Sequence, residues 1–233
     1  MRVYYLHHSA VAAVLDKSLL VFDHFKNDGK GIEEGSIGEN DLLAADRVYV
    51  FASHAHHDHY NKAVLMWAAV HPNITYILDS TINDSGANIV KLSPGEAFED
   101  GYISVREFGS TDIGGSFYVE CEGTSFFHAG DLNYWHWRDD GDERYTRVMT
   151  KSFERHIERL KEGIRGIDCA FFPVDSRIGS GHDEGAVMFI EAMKPKVFIP
   201  IHMNGFEDSR AFSEKRFEGT EIINVYKNGQ RLV

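Results

Sequence analysis

Short apolar stretches broken by polar turns fill the first half of the chain, and long stretches with helical spacing enter only in the second. Residues 2–7, 10–15 and 18–22 are rich in Val, Tyr, Leu and Phe and predict strands, with Asp16-Lys17 as a tight turn. Residues 27–40 are polar and glycine-rich and predict a surface loop. Residues 47–53 predict the next strand, and residues 61–70 carry helical apolar spacing with Asn61 as a possible cap. Strands are expected near 75–79, 88–92, 97–98 and 102–108, followed by a hairpin of 116–121 and 124–128 across Glu122-Gly123. Helices over 145–163, 183–193 and 209–217 then alternate with strands over 169–172, 197–201 and 221–226. Strands first, then helix-and-strand units, twice over, predict two sheets packed face to face with helices outside.

Composition narrows the possibilities. The 233 residues fit one domain spanning 1–233. A net charge of −12 argues against a nucleic-acid partner, because a phosphate-binding surface needs clustered Lys and Arg. Arg155, Arg159 and Lys161 read instead as the solvated face of a helix. Cys121 and Cys169 sit in apolar runs and read as small buried hydrophobes of a reducing compartment. The opening residues do not resemble a signal peptide, and no window approaches eighteen uninterrupted apolar residues, so no membrane partner and a cytoplasmic location are expected.

The richest chemistry lies at residues 54–59, His-Ala-His-His-Asp-His, directly after an apolar strand. Strand alternation points His54 and His56 the same way, and a bend lets Asp58 and His59 face a second point nearby. Imidazole and carboxylate suit Zn, Fe, Mn and Ni. The segment matches H-x-H-x-D-H and resembles the signature of the metallo-β-lactamase superfamily, on the branch of the ascorbate phosphate lactonases and related small hydrolases. Phe126-Phe-His-Ala-Gly-Asp131 and Val197-Phe-Ile-Pro-Ile-His202 resemble the family's later strands, and Leu6-His-His-Ser9 with Val21-Phe-Asp23 its opening ones. The resemblance implies an α+β fold, the four-layer αβ/βα sandwich of two mixed β-sheets with helices on the outer faces. It also implies a divalent-metal centre of one or two ions, zinc first, with Mn, Fe or Ni as alternatives. His54 and His56 would hold the first ion, Asp58, His59 and His202 the second, and Asp131 would bridge them. His8 and Asp23 would sit beneath.

One position departs from the family pattern. Where the family places a His ligand, this chain has Ser110 in Gly109-Ser-Thr-Asp112, and a hydroxyl is a poor ligand for these metals. Asp112 or His182, at an apparent helix start, could fill the gap. Trp135 and His136 after Asp131 could wall a substrate, with a satellite of the core as the plain alternative. Arg177 could clamp an anionic group or simply pair with Asp175. The expected activity is metal-dependent hydrolysis of an ester, lactone, amide or phosphodiester of a small molecule, with an anionic substrate compatible and a homo-oligomer not excluded. Asp58 would orient or deprotonate the water, and His182 could assist. The alternative is a degenerate metal-binding or ligand-sensing protein with little turnover, motivated by Ser110.

Overall fold

Both halves of the chain build the same pattern, an antiparallel run that continues as a parallel one. A computed structural model describes residues 1–26, 28–140 and 142–233. In the first half, β1 (Arg2–His7), β2 (Ala10–Val14) and β3 (Ser18–Phe22) are antiparallel neighbours. β4 (Arg47–Ala52), β5 (Ile74–Asp79) and β6 (Ile89–Leu92) then add in parallel. In the second half, β7 (Ala97–Glu99), β8 (Ile103–Gly109), β9 (Gly115–Cys121) and β10 (Thr124–His128) are antiparallel. β11 (Cys169–Pro173), β12 (Val197–Ile201) and β13 (Glu221–Ile222) follow in parallel. The chain finally returns to the first sheet, where β14 (Gln230–Arg231) pairs antiparallel with β1.

Strand alternation sorts the apolar residues into three layers. Phe22, Phe51, Ile77, Phe117, Phe126 and Phe171 fill the space between the two sheets. Tyr4, Val21, Val50 and Tyr76 pack on the outer side of the first sheet with Trp67 from the turn of helix Lys62–Ala69. Phe127, Phe172 and Phe198 form the outer side of the second sheet. They are covered by Phe153 and Leu160 of α2 (Glu143–Gly163), Phe189 of α3 (Glu184–Met193) and Phe212 of α4 (Phe206–Ser213), while α1 (Glu39–Leu43) sends Leu42 into the first sheet's outer layer. The result is the expected four-layer α+β sandwich of two mixed sheets. Among the described residues no helix is long and apolar enough to cross a membrane.

Several expectations are corrected locally. The stretch 27–40 is not a plain loop: a 3-10 turn at Ile32–Glu34 and the start of α1 lie within it, tied by Asp41, whose carboxylate accepts from the Ile32 and Gly38 amides at 2.9 and 2.8 Å. Asn27 lies outside the described residues. The turn after Asn61 is 3-10 rather than α-helical, with the Asn61 side chain accepting from the Ala63 amide. α4 begins at Phe206 instead of residue 209, and Phe217 lies beyond it in a short bridge to Thr220. The closing strand pairs only over Glu221–Ile222.

Phe171 is fully buried between the sheets against Phe22 and His128. Phe171→Ala is expected to cost about 3–5 kcal/mol in urea unfolding, whereas Met66→Ala, at an exposed site, should stay within about 0.5 kcal/mol.

Candidate metal centre

Six strands end at one edge of the sandwich, and the residues just past their ends carry the chemistry. This is the usual place for a site on parallel strands, since the strands fix the loop starts rigidly. His8 follows β1, Asp23 follows β3, the stretch from Ser53 to His59 follows β4, Asp131 follows β10, Asp175 follows β11 and His202 follows β12. His8, Asp23 and His202 take left-handed backbone, with φ of 48°, 46° and 52°. Side chains other than glycine adopt it only where the surroundings hold it. Here the His202 amide donates to the His8 carbonyl at 3.1 Å, and the Asp23 amide to the Phe51 carbonyl at 2.9 Å.

The Asp131 carboxylate lies at the middle. Its Oδ2 is 3.5 Å from His54 Nε2, which is in turn 3.0 Å from His56 Nδ1. Its Oδ1 is 3.1 Å from His59 Nε2 and 3.5 Å from His202 Nε2. Asp58 Oδ2 lies 3.5 Å from His8 Nε2. Two groups therefore offer ligand atoms that all lie within 4.8 Å of one another: His54, His59 and Asp131, and His8, Asp58, His59 and His202. His54, His59 and Asp131 are buried, Asp58 and His8 half-buried, and His56 exposed. His8 Nε2, His59 Nε2 and Asp131 Oδ1 are buried with no hydrogen-bond partner among the described residues. Buried polar atoms left unpaired cost about 1–3 kcal/mol each. A cation ligated by all of them removes that cost, so the donor set fits a divalent metal.

A second set of carboxylates fixes the rings. Asp23 is fully buried and accepts from the Ser53 amide, the Ser53 hydroxyl and His59 Nδ1, each at 2.7 Å. Asp175 accepts from His202 Nδ1 at 3.0 Å and from Arg177 Nε at 2.8 Å. Each leaves the other ring nitrogen, Nε2, aimed at Asp131, an arrangement that sets both tautomer and ring orientation. Burial opposes protonation of His59, but Asp23 and Asp131 outweigh it and lift its pKa to about 10. Burial likewise opposes the charge on Asp131, yet His59, His202 and His54 hold it well below the usual carboxylate range. His54 moves the other way, lowered by burial and by His59 beside it.

The remaining candidates divide. Asp112 is not among the gathered ligand atoms, and Ser110 Oγ accepts from the Asp112 amide at 3.2 Å. Asp112 lines a cavity of about 290 Å³ at the mouth, with Trp135, Trp137, Tyr145, Arg177 and His202. Trp135 donates its indole N–H to the Asp131 carbonyl at 2.8 Å and meets the His202 ring edge-on. Arg177 lines this mouth while forked onto Asp175, the pairing expected of it. His136 does not line the mouth. It is buried, donating Nε2–H to the Gly181 carbonyl at 3.1 Å and accepting from the Arg138 amide, so the expectation that it touches substrate is corrected to a packing role. His182 is likewise outside the gathered groups and the mouth. Its loop is held off by Asp139, which binds Ser180, and by Arg138, which pairs with Glu184.

The sequence points to His8 only beneath the site and to Asp175 only as a partner for Arg177. The signal for Asp175 was present: an apolar strand ending in Asp, next to one ending in His, repeats the order of Asp23 and the His cluster. No sequence motif marks Glu107, which points inward from β8 with both carboxyl oxygens buried and unpartnered among the described residues. Burial, then the neighbouring Asp79 and Glu96, raise its pKa to about 9. Its carboxyl lies so close to Gly115 that a Cβ there would collide with Oε1, leaving room only for glycine.

No protein-family model matches the chain. A UPF0173 metal-dependent hydrolase of Thermus thermophilus is 27% identical, covering 100% of this chain and 98% of its own. The solved structure of Igni18, a metallo hydrolase from Ignicoccus hospitalis, matches with a TM-score of 0.66 at 14% identity, covering 99% of this chain and 97% of that one. The metallo-β-lactamase fold protein YhfI from Bacillus subtilis matches with a TM-score of 0.61 at 10% identity, covering 99% and 98%.

Asp23→Asn keeps the shape but weakens the hold on His59, and is expected to lower metal affinity about 10–100-fold, read by competition with a chromogenic chelator. Glu107 gives a stability signature. Its folded pKa lies above the unfolded value of 4.5, so the folded state binds the extra proton and loses stability as pH rises from there towards 9. Glu107→Gln imitates the protonated form. In denaturant titrations it should match the wild type near pH 5 and exceed it increasingly at pH 7 and 8.

Proposed function

We propose that the chain is a member of the metallo-β-lactamase superfamily and a metal-dependent hydrolase acting on an ester, lactone, amide or phosphodiester of a small molecule; its likeness to a UPF0173 metal-dependent hydrolase and its fold support this reading. The observation that carries this reading is the Asp131 carboxylate set between His54 on one side and His59 and His202 on the other, with unpaired buried donor atoms facing the same space. A divalent ion bound there supplies Lewis acidity, polarising a carbonyl or phosphoryl oxygen and lowering the pKa of water to roughly 7. Zinc is the first expectation for that ion.

The side chains around it have distinct tasks. Asp58, half-buried beside the cluster with its pKa lowered, against burial, by the histidines around it, would orient a water and accept its proton. Asp23 and Asp175 keep the His59 and His202 rings turned inward. Trp135, Trp137 and Tyr145 give the mouth apolar walls suited to an acyl or ring portion of the substrate. Arg177 sits half-exposed at the rim, its positive charge already fixed in place by Asp175, and suits an anionic substituent.

Ser110 favours a second reading, a protein that holds metal with little turnover. It leaves the first position with His54, His56 and the shared Asp131, so the second position is the better furnished. Purified protein assayed on chromogenic esters, lactones and phosphodiesters separates the two. A chelator-sensitive turnover of any of them is expected, and bound metal without turnover would favour the second reading. In the same preparation Ser110→His should raise bound metal from near one towards two ions per chain by elemental analysis; two ions already held by the wild type would exclude a lost ligand.

A further inference from the structure

We propose that His8 is itself a ligand at the second metal position, so that this position is held by three imidazoles and two carboxylates: His8, His59, His202, Asp58 and Asp131. The inference rests on the metal-centre reading above and goes beyond it, since four of these residues were expected as ligands and His8 was not. Its Nε2 lies within 4.8 Å of ligand atoms on Asp58, His59 and His202. Around an ion with ligands at about 2.1 Å, neighbouring donors stand roughly 3.0–4.2 Å apart, and the 3.5 Å between His8 Nε2 and Asp58 Oδ2 falls in that range. The same Nε2 is buried and has no hydrogen-bond partner among the described residues. Asp58 Oδ2, at 3.5 Å, is near enough to share an ion with it but is not a hydrogen-bond partner.

The fold holds the ring in this place. The His8 ring lies against those of His202 and His59, with centroids 4.3 and 5.5 Å away. Its left-handed backbone, φ 48°, is fixed by the amide of His202 donating to its carbonyl. A residue in strained backbone, locked to one ligand and unpaired at the nitrogen facing the others, is the mark of a built contact rather than a surface histidine. His8, Asp58, His59 and His202 gather by themselves, and Asp131, whose Oδ1 lies 3.1 Å from His59 Nε2 and 3.5 Å from His202 Nε2, would add a fifth donor, one more than a closed tetrahedral site holds. The second position therefore suits an ion that accepts five or six ligands, such as Fe(II), Co(II) or Ni(II), or a zinc ion expanded to five.

Cobalt(II) tests this directly, because its visible bands are weak with five or six ligands and stronger with four. Protein stripped with chelator and titrated with cobalt should bind it with weak bands. His8→Asn tolerates the left-handed backbone, and His8→Gln keeps a side chain able to hydrogen-bond Asp58. Both should lower cobalt affinity by at least about tenfold and change the spectrum, with the fold checked by circular dichroism. Wild-type affinity and spectrum in the Gln variant would overturn the proposal and leave His8 as a positioning residue for Asp58. Wild-type binding in both variants, with cobalt lost from His202→Ala, would overturn the role of His8 alone. A wild-type protein that takes up no cobalt, manganese, iron or zinc would overturn the metal centre as well.

Discussion

Negative charge buried away from water has to be answered within a few ångströms, and the edge where the two sheets meet is organised by that requirement. Asp23, Asp131 and Asp175 are almost wholly buried there. Each is met by imidazole: Asp23 by His59, Asp131 by His54, His59 and His202, and Asp175 by His202 with help from Arg177. The rings alone do not satisfy the set, because protonating several of them in one cavity brings like charges together. The lowered His54 beside the raised His59 expresses that conflict. One doubly charged ion would resolve what several protons cannot.

The two halves of the chain solve it in the same way. In the first, the carboxylate past β3 orients a histidine past the neighbouring β4. In the second, the carboxylate past β11 orients the histidine past the neighbouring β12. The parallel pairing of those strands brings the two ends level, so an Asp on one reaches a ring on the next without a long loop. Asp131, past β10, belongs to neither pair and is shared between them.

Most of this was legible in the sequence where the signal is local. The hairpin strands fall within one residue of 116–121 and 124–128, because two apolar runs flank a turn with Gly123 in left-handed backbone. The His cluster was legible because its spacing is itself the geometry. What was lost depends on contacts between distant segments. β14 has only two residues, polar ones, and exists through pairing with β1 at the other end of the chain. α4 is displaced because Ser209, expected to start it, is instead inside it and buried, accepting from the Val225 amide. Trp135 and Trp137 reach the mouth while His136 between them turns away, a rotation that residue type does not reveal. His182 was judged by its place near a helix start, but ties from Asp139 and Arg138 decide where that loop lies.

The bond between the His202 amide and the His8 carbonyl joins the two sheets through residues near opposite ends of the chain. Closing so large a loop costs entropy before any local contact returns it, which makes such pairings late events in folding. During synthesis β1 emerges early and must wait for β12, and then for β14, before its own end is finished. Neither half can capture an ion in the final geometry by itself. An ion that binds only the closed form stabilises that form in proportion to its concentration, so its supply adds to the lifetime of the whole fold. A chain that ends before β12 keeps the His cluster and lacks the His202 ring that faces it.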